Sequence, residues 1–281
     1  GRTKDRPIKS QGIIDRLGLD ATVESLLATL AVIDGPLPAG ELAAHLGLSK
    51  EGLAAAYRRA ASCGLLWEDE LGFAGVHRKW RENFMDAFWA RPRGRRRLAD
   101  LADRMRRSLH GTASGSRDHV RTLVSAAWLL ALAGRIPEAL DLLPRPNGVL
   151  EAAGIEHFRK HRFGDALSCF ERIGYDDSQD LNGRLLLAQC LAEVGRVGEG
   201  RQLADALLGQ RPDDPHVLRG RARVDFIAGA YPEAMRRFQE ALVLQPHFAA
   251  LHFDIGHCLV RMGDYAGARA ALAEESRRRF R

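Results

Sequence analysis

Apolar residues recur at helical spacing along most of the chain. Over residues 21–34, Val23, Leu26, Leu27, Leu30 and Ile33 fall on one face of a predicted helix, which Gly35-Pro36 breaks. Residues Glu41 to Leu46 form a short second helix ended by Gly47. Ser49 caps a third, over roughly 50–63, closed by Gly64. The run Leu65 to His77 changes character: its Gly and acidic residues between apolar ends read as strand, turn, strand. Helical spacing returns over 76–90 with Val76, Trp80, Phe84 and Phe88, which read as core, and over Arg95–Leu109 with Leu98, Leu101, Met105 and Leu109. The Gly/Ser-rich stretch Gly111–Ser116 reads as a linker, and further helices are predicted near 119–133 and 137–143.

Beyond residue 146 the pattern repeats. Gly195, Gly229 and Gly263 are 34 residues apart, and so are Tyr231 and Tyr265, Ala234 and Ala268, Pro212 and Pro246. One period earlier, Phe163, Ala166 and Phe170 fall in register while His161 stands where the glycine should be. Four units follow: 147–180, 181–214, 215–248 and 249–281. The small residues Gly154, Ala188, Ala222 and Gly256 let the first helix of each unit approach its partner. The turn glycines can take the left-handed conformation that ends a helix without a Cβ penalty. The Ala-x-x-x-Phe pairs Ala166/Phe170 and Ala234/Phe238 put a small and a large side chain on one face. A degenerate pair precedes them: Gly134, Ile136, Glu138 and Ala139 repeat the turn grammar, and Pro144 and Pro146 cut its second helix short.

This grammar resembles the tetratricopeptide repeat, a 34-residue helix–turn–helix unit, although no unit carries the family's consensus Trp. The resemblance implies an α-solenoid whose concave face is lined by the first helix of each unit. The family's groove positions fall here on Phe158 and Arg159, on Asn182, Gln189 and Glu193, on Arg219, Arg223, Phe226 and Ile227, and on Phe253, His257 and Arg261. Arginines interleaved with Phe226 and Phe253 suit an acidic or apolar peptide or ligand. The bland reading is that the arginines are solvated and the phenylalanines pack between helices.

The first 90 residues, three helices and a small hairpin, have the layout of a winged helix. A DNA-reading version needs base-contacting residues early in its recognition helix, and Ser49, Lys50, Glu51 and Gly52 offer neither Asn, Gln nor Arg. The wing carries Glu68, Asp69 and Glu70, which repel phosphate. A protein-contact role is therefore preferred. The order also resembles the segment behind the ATPase core of STAND-class signal-transduction regulators, carried by Ile33–Pro38, Leu42–Leu48, Gly64–Leu66 and His77 before an Arg-rich helical pair. That resemblance implies an ATPase partner, intramolecular or separate, since no G-x-x-x-x-G-K-[S/T] loop occurs in these 281 residues. The sequence thus divides into an extension (1–20), a winged-helix-like domain (21–90), an Arg-rich helix with linker (91–118), a degenerate helix pair (119–146) and four repeat units (147–281).

The formal charge of +6 is one local cluster. Residues 147–281 carry 19 basic and 19 acidic side chains, which cancel, whereas residues 91–107 hold eight Arg against two Asp. Arg95, Arg96, Arg97, Arg106 and Arg107 are the candidates for polyanion contact, and the alternative function is a DNA-binding regulator with the repeats as effector domain. Cys63, Cys169, Cys190 and Cys258 form no C-x-x-C pair and read as free thiols. His157 and His161 are four apart but have no second ligand pair, so no metal is expected. No catalytic signature is present, acidic pairs such as Asp176/Asp177 and Asp213/Asp214 read as turn or cap residues, and no enzyme activity or cofactor is expected. With no membrane span or leader in the pattern, the expectation is a mainly α, cytoplasmic, non-catalytic interaction module of a regulatory protein.

Overall fold

The computed structural model describes residues 16–33, 37–68, 74–90, 94–111, 114–143, 146–173, 175 and 180–279. They form two compact units, Gly1–Val149 and Leu150–Arg281.

In the first unit, α1 (Ala21–Val32), α2 (Ala39–Leu46) and α3 (Lys50–Ser62) precede the strands β1 (Leu66–Glu68) and β2 (Ala74–Val76). Then come α4 (Arg78–Ala90), α5 (Gly94–Ser108), α6 (Arg117–Ala133) and α7 (Ile136–Leu142). The expected order of elements is present. The strands pair antiparallel, Leu66 opposite Val76, and are the one sheet among the described residues. The rest of the hairpin, with Asp69 and Glu70, lies outside the described residues, as do Gly35-Pro36, Arg91 and Arg93. Side-chain caps set the helix starts: Asp20 accepts from the Val23 N–H and Ser49 from the Gly52 N–H, each satisfying an amide that the helix itself cannot. Leu26, Leu27, Phe84 and Phe88 are fully buried where α1 meets α4. Leu98, Leu101, Met105 and Leu129 do the same where α5 meets α6. A polar clamp joins α2 to α5: His45 Nδ1 lies 2.9 Å from Asp100 Oδ2, and Arg104 bridges Asp100 and Glu41 at 3.0 and 3.2 Å.

The second unit consists of helix pairs: α8 (Asn147–Arg159) with α9 (Phe163–Phe170), α10 (Leu181–Glu193) with α11 (Val197–Gln210), α12 (Pro215–Ile227) with α13 (Tyr231–Leu244), and α14 (Ala249–Met262) with α15 (Tyr265–Arg279). Every turn in the 34-residue register has a left-handed residue: Gly195, Gly229 and Gly263 at φ 90°, 80° and 87°. His161 occupies the fourth such place at φ 55° and is the one non-glycine with positive φ among the described residues. The period thus held the backbone conformation even where the glycine was replaced. Gly154 sits under the Phe170 ring, where a Cβ would come within 2.8 Å, which is the close approach of first to second helix that its small size predicts. Successive units share cores: Leu185, Leu207 and Val217 form one, Ala188, Ala192, Ala204 and Val224 another, and Ala222, Phe238, Leu251 and Cys258 belong to a third.

Candidate functional site: the face lined by the first helices

Three first helices, α8, α10 and α12, surround a cavity of about 320 Å³. One wall is apolar, built from Phe158, Leu181, Leu185 and Leu186. The rest of the lining is polar, with Asn182, Gln189, His216, Arg219 and Arg223. Gly220 closes the floor against Leu185, whose side chain lies 2.5 Å from where a Cβ would stand. A smaller recess of about 40 Å³ lies beyond Arg223, lined by Phe226, Phe238, Asp254 and His257.

The arginines are not loose. Asp254, buried on α14, accepts from Arg219 Nε at 2.6 Å and from Arg223 Nη1 at 3.0 Å. Arg223 Nε also donates to Gln189 Oε1 at 2.8 Å, and the Gln189 amide donates in turn to the Leu185 carbonyl at 3.2 Å. Gln189 is therefore a buried link, accepting and donating, in a relay across three repeats. Arg219 additionally lies over the Phe248 ring, 5.5 Å from its centre, and His216 packs on the same ring at 4.7 Å. These contacts fix both guanidinium groups half-exposed, with side-chain exposures of 27% and 31%. They correct the expectation that Arg223 simply faces solvent: a buried carboxylate one repeat onward claims it, because an unpaired Asp254 there would be costly.

The other predicted groove residues divide. Phe226 is half-buried, packed against the third core and edge-on to Tyr231, so it behaves as structure. Phe253 is 41% exposed and stacks with the exposed His257, ring centres 4.2 Å apart. Arg261 caps the Tyr231 ring at 5.2 Å, and Arg159 is paired with Glu156 at 3.7 Å, so neither joins the cavity. Glu193 is exposed at the end of α10, and partial desolvation holds its carboxyl above the usual range. Sequence reasoning missed Leu181, Leu185, Leu186, His216 and above all Asp254. The signal for Asp254 was its spacing, one residue more than the repeat period from Arg219.

A second carboxylate, Asp225, is 2% exposed and gathers Arg221 at 2.5 Å, Arg237 at 2.6 Å and Arg201 at 3.4 Å. This hub ties α11, α12 and α13 together. Cys169, Cys190 and Cys258 are buried, and burial pushes their thiols up to about 12, 12 and 11, which makes them inert. Cys63 is only half-buried. Asp214 caps α12 by accepting from the His216 N–H, the role expected of it, while Asp176 and Asp177 lie outside the described residues.

In the first unit the arginine cluster is partly neutralised. Arg106 lies 3.7 Å from Asp103 and 3.6 Å from Glu138, and Arg135 bridges the same two carboxylates. Arg97 is half-buried with its guanidinium 5.9 Å from the Phe88 ring centre. Arg95, Arg96 and Arg107 are exposed. Among the described residues no cluster of His, Cys, Asp and Glu could hold a metal ion, and no helix is long and apolar enough to cross a membrane.

Residues 157–224 and 226–275 match the tetratricopeptide repeat family model. The match is confined to this part of the chain. A comparison with curated protein sequences gives no match. Among solved structures, the chain is similar to MamA (residue 41 to its end) from Desulfovibrio magneticus RS-1, at 14% identity and a TM-score of 0.40, covering 65% of this chain and 95% of that one. It is also similar to a tetratricopeptide repeat protein from Parabacteroides merdae ATCC 43184, at 19% identity and a TM-score of 0.44, over 69% and 82% of the two chains. A third is YrrB, described as a tetratricopeptide repeat protein with an unusual peptide-binding site, at 16% identity and a TM-score of 0.38, over 63% and 93%.

Proposed function

We propose that the chain is a non-catalytic interaction module in which the face formed by α8, α10, α12 and α14 receives an extended segment of a partner protein. The observation that carries this reading is the cavity itself. Its apolar wall and its half-exposed arginines open on the same face, and the guanidinium groups are held in place before any ligand arrives. Preorganised donors lower the ordering cost of binding, which is what a recognition surface requires.

The reading extends to the first unit. There the order of three helices and a two-stranded hairpin supports a winged helix that contacts protein. The pairing of Arg106 and Arg135 with Asp103 and Glu138 leaves fewer arginines for phosphate, which favours protein over DNA as the partner. A regulatory protein related to the STAND class is the setting that the sequence resemblance favours.

A photo-crosslinking residue tests the groove. Placed at Asn182, exposed beside the cavity, it should yield a discrete protein product that disappears when Arg219 and Arg223 are both changed to Gln. Placed at Gln239, exposed on α13, it should yield none. Equal labelling from both positions would remove the proposal.

A further inference from the structure

The first helices of successive repeats meet one another at the same three positions. On α10 these are Leu185, Gln189 and Ala192, which are 7%, 6% and 3% exposed. Leu185 lies over Gly220, Gln189 accepts from Arg223 Nε at 2.8 Å, and Ala192 shares a core with Val224, all on α12. One period on, α12 presents Arg219, Arg223 and Phe226. The two arginines hold Asp254, and Phe226 packs on the core containing Leu251 and Ile255, all on α14. One period further the positions are Phe253, His257 and Val260, and no first helix follows among the described residues. Phe253 and Val260 are each 41% exposed, and His257 is exposed beside them. Spaced four and three residues apart, they form one stripe along α14.

The stripe suits a single helix. A unit of the array packs on both helices of the one before it: Leu207 and Leu208 of α11, and Ala241 and Leu242 of α13, all meet cores that the next unit shares. At the matching places in sequence α15 carries Glu275 and Ser276. A helix pair set there would bury polar side chains, whereas one helix laid on α14 covers Phe253 and Val260. The stripe is also self-complementary. Its one arginine, Arg261, stands at its end and lies over the Tyr231 ring at 5.2 Å, and His257, its other titratable group, is at its centre. Asp254, next to Phe253, is buried against Arg219 and Arg223. Two copies of α14 laid antiparallel set Phe253 of each against Val260 of the other. The same arrangement keeps the two Arg261 side chains at opposite ends and brings opposite helix ends together.

We propose that two copies of this chain associate through α14, antiparallel about a two-fold axis, with Phe253 and Val260 of each covering the other. A two-fold contact uses one patch twice and closes at two copies. One helix from each copy buries less than the roughly 1,200 Å² of a standard interface, so the dimer is weak and concentration-dependent. None of the residues lining the cavity takes part, and the association stands or falls apart from the groove reading.

Sedimentation equilibrium of the full chain from about 1 to about 300 µM brackets an interface of that size. The unaltered chain should pass from one copy to two and no further. Phe253→Asp and Val260→Asp each place a charge in the buried contact and should weaken association by about tenfold or more. Val243→Asp, at a residue 80% exposed on α13, should leave it unchanged. Thermal melts establish that each variant is folded. The combined Phe253→Asp/Val260→Lys chain sets opposite charges against each other between antiparallel copies. It should associate about tenfold more tightly than Phe253→Asp or Val260→Lys alone. A chain that stays single at every concentration would overturn the proposal, whatever other helix the stripe then binds. So would a dimer that Phe253→Asp and Val260→Asp leave intact, assemblies that grow beyond two copies, or a combined variant no tighter than its single changes.

Discussion

Arg223 Nη1 lies 3.0 Å from Asp254 Oδ1, a contact between helices α12 and α14 of adjacent repeats. The pair makes Arg223 a structural residue as well as a candidate binding one. Its replacement by Glu would set a carboxylate against the buried Asp254 and leave Gln189 Oε1 without its donor. We expect Arg223→Glu to lower unfolding free energy by about 1–3 kcal/mol, below the usual cost of breaking a fully buried pair because Arg219 still serves Asp254 and Arg223 keeps partial solvent contact. Arg223→Gln should cost less. Urea unfolding of Arg223→Glu with and without Asp254→Asn checks the cause: the second change should recover part of the loss, and a purely additive double variant would contradict the pairing.

Asp225 should matter more for stability than Asp254. It is 2% exposed and receives three arginines from α11, α12 and α13; Arg221 keeps Asp205 at 2.5 Å when Asp225 is removed, but Arg201 and Arg237 lose this carboxylate. Asp225→Ala is expected to cost about 3–5 kcal/mol, the range for stripping one partner from a buried ionic cluster. A denaturation midpoint within experimental error of the unaltered chain would contradict it.

Glycines within one helix should respond in opposite ways. A Cβ on Gly200 would come within 2.6 Å of the Ala188 carbonyl, a backbone atom that cannot step aside, whereas nothing lies within 4 Å of a Cβ on Gly198. Gly200→Ala should destabilise by about 1–3 kcal/mol through forced separation of α10 and α11. Gly198→Ala should be neutral or stabilise by up to about 1 kcal/mol, the gain in helix propensity. Paired thermal melts check the contrast, and equal effects of the two changes would refute it.

The period was legible because each repeat reuses the same backbone solution. Gly195, Gly229 and Gly263 announce it directly, and His161 could be placed by register alone although its identity argued against a left-handed turn. The two short strands and the helices before them were legible from apolar spacing, since Leu66 to Val76 breaks the helical pattern. The charge pairing was not. Arg219 and Arg223 look like solvated groove residues in sequence because their partner, Asp254, is 35 and 31 residues away and lies in the next helix pair. The arginine run of α5 has the same problem: Arg106 meets Glu138, 32 residues away at the start of α7, only in the folded chain. Periodicity reports which face a residue is on, but ion pairs between elements depend on crossing geometry that no single helix encodes.

His161 offers a clean measurement of what the left-handed place costs. Its φ of 55° is unfavourable for any residue with a Cβ, and its ring gains an edge-on contact with Phe163, centres 5.7 Å apart. Against an alanine that has the strain without the ring, glycine should do better: His161→Gly is expected to be more stable than His161→Ala by about 1 kcal/mol, the usual left-handed penalty. Chemical denaturation of the two variants decides it, and an alanine variant at least as stable as the glycine one would show that this turn is not held in the left-handed region.

His45 should make the first unit sensitive to mild acid. Burial pushes its imidazole below 6.5, and this outweighs the opposing pull of Asp100, which accepts a hydrogen bond from Nδ1 at 2.9 Å; Arg97 and Arg104 push the same way as burial. The folded protein therefore holds His45 neutral, with Nδ1 as the donor, while the unfolded chain protonates it at the ordinary value. Between the depressed folded value and 6.5 the unfolded chain binds more protons, so stability falls as pH drops through that window and is fully present above it. Asp100 adds a loss in the same direction at lower pH, because its hydrogen bonds with His45 and Arg104 hold its carboxyl below 3.8. Replacing His45 with Gln keeps a side-chain amide that can donate to Asp100 but cannot titrate near neutrality. Unfolding free energy measured from pH 7.5 down to 5 should decline for the unaltered chain and be flatter for His45→Gln. Imidazole signals followed by NMR should place the His45 midpoint below 6.5. A midpoint above 6.5, or parallel pH profiles for the two proteins, would show that the Asp100 bond and not burial controls this histidine.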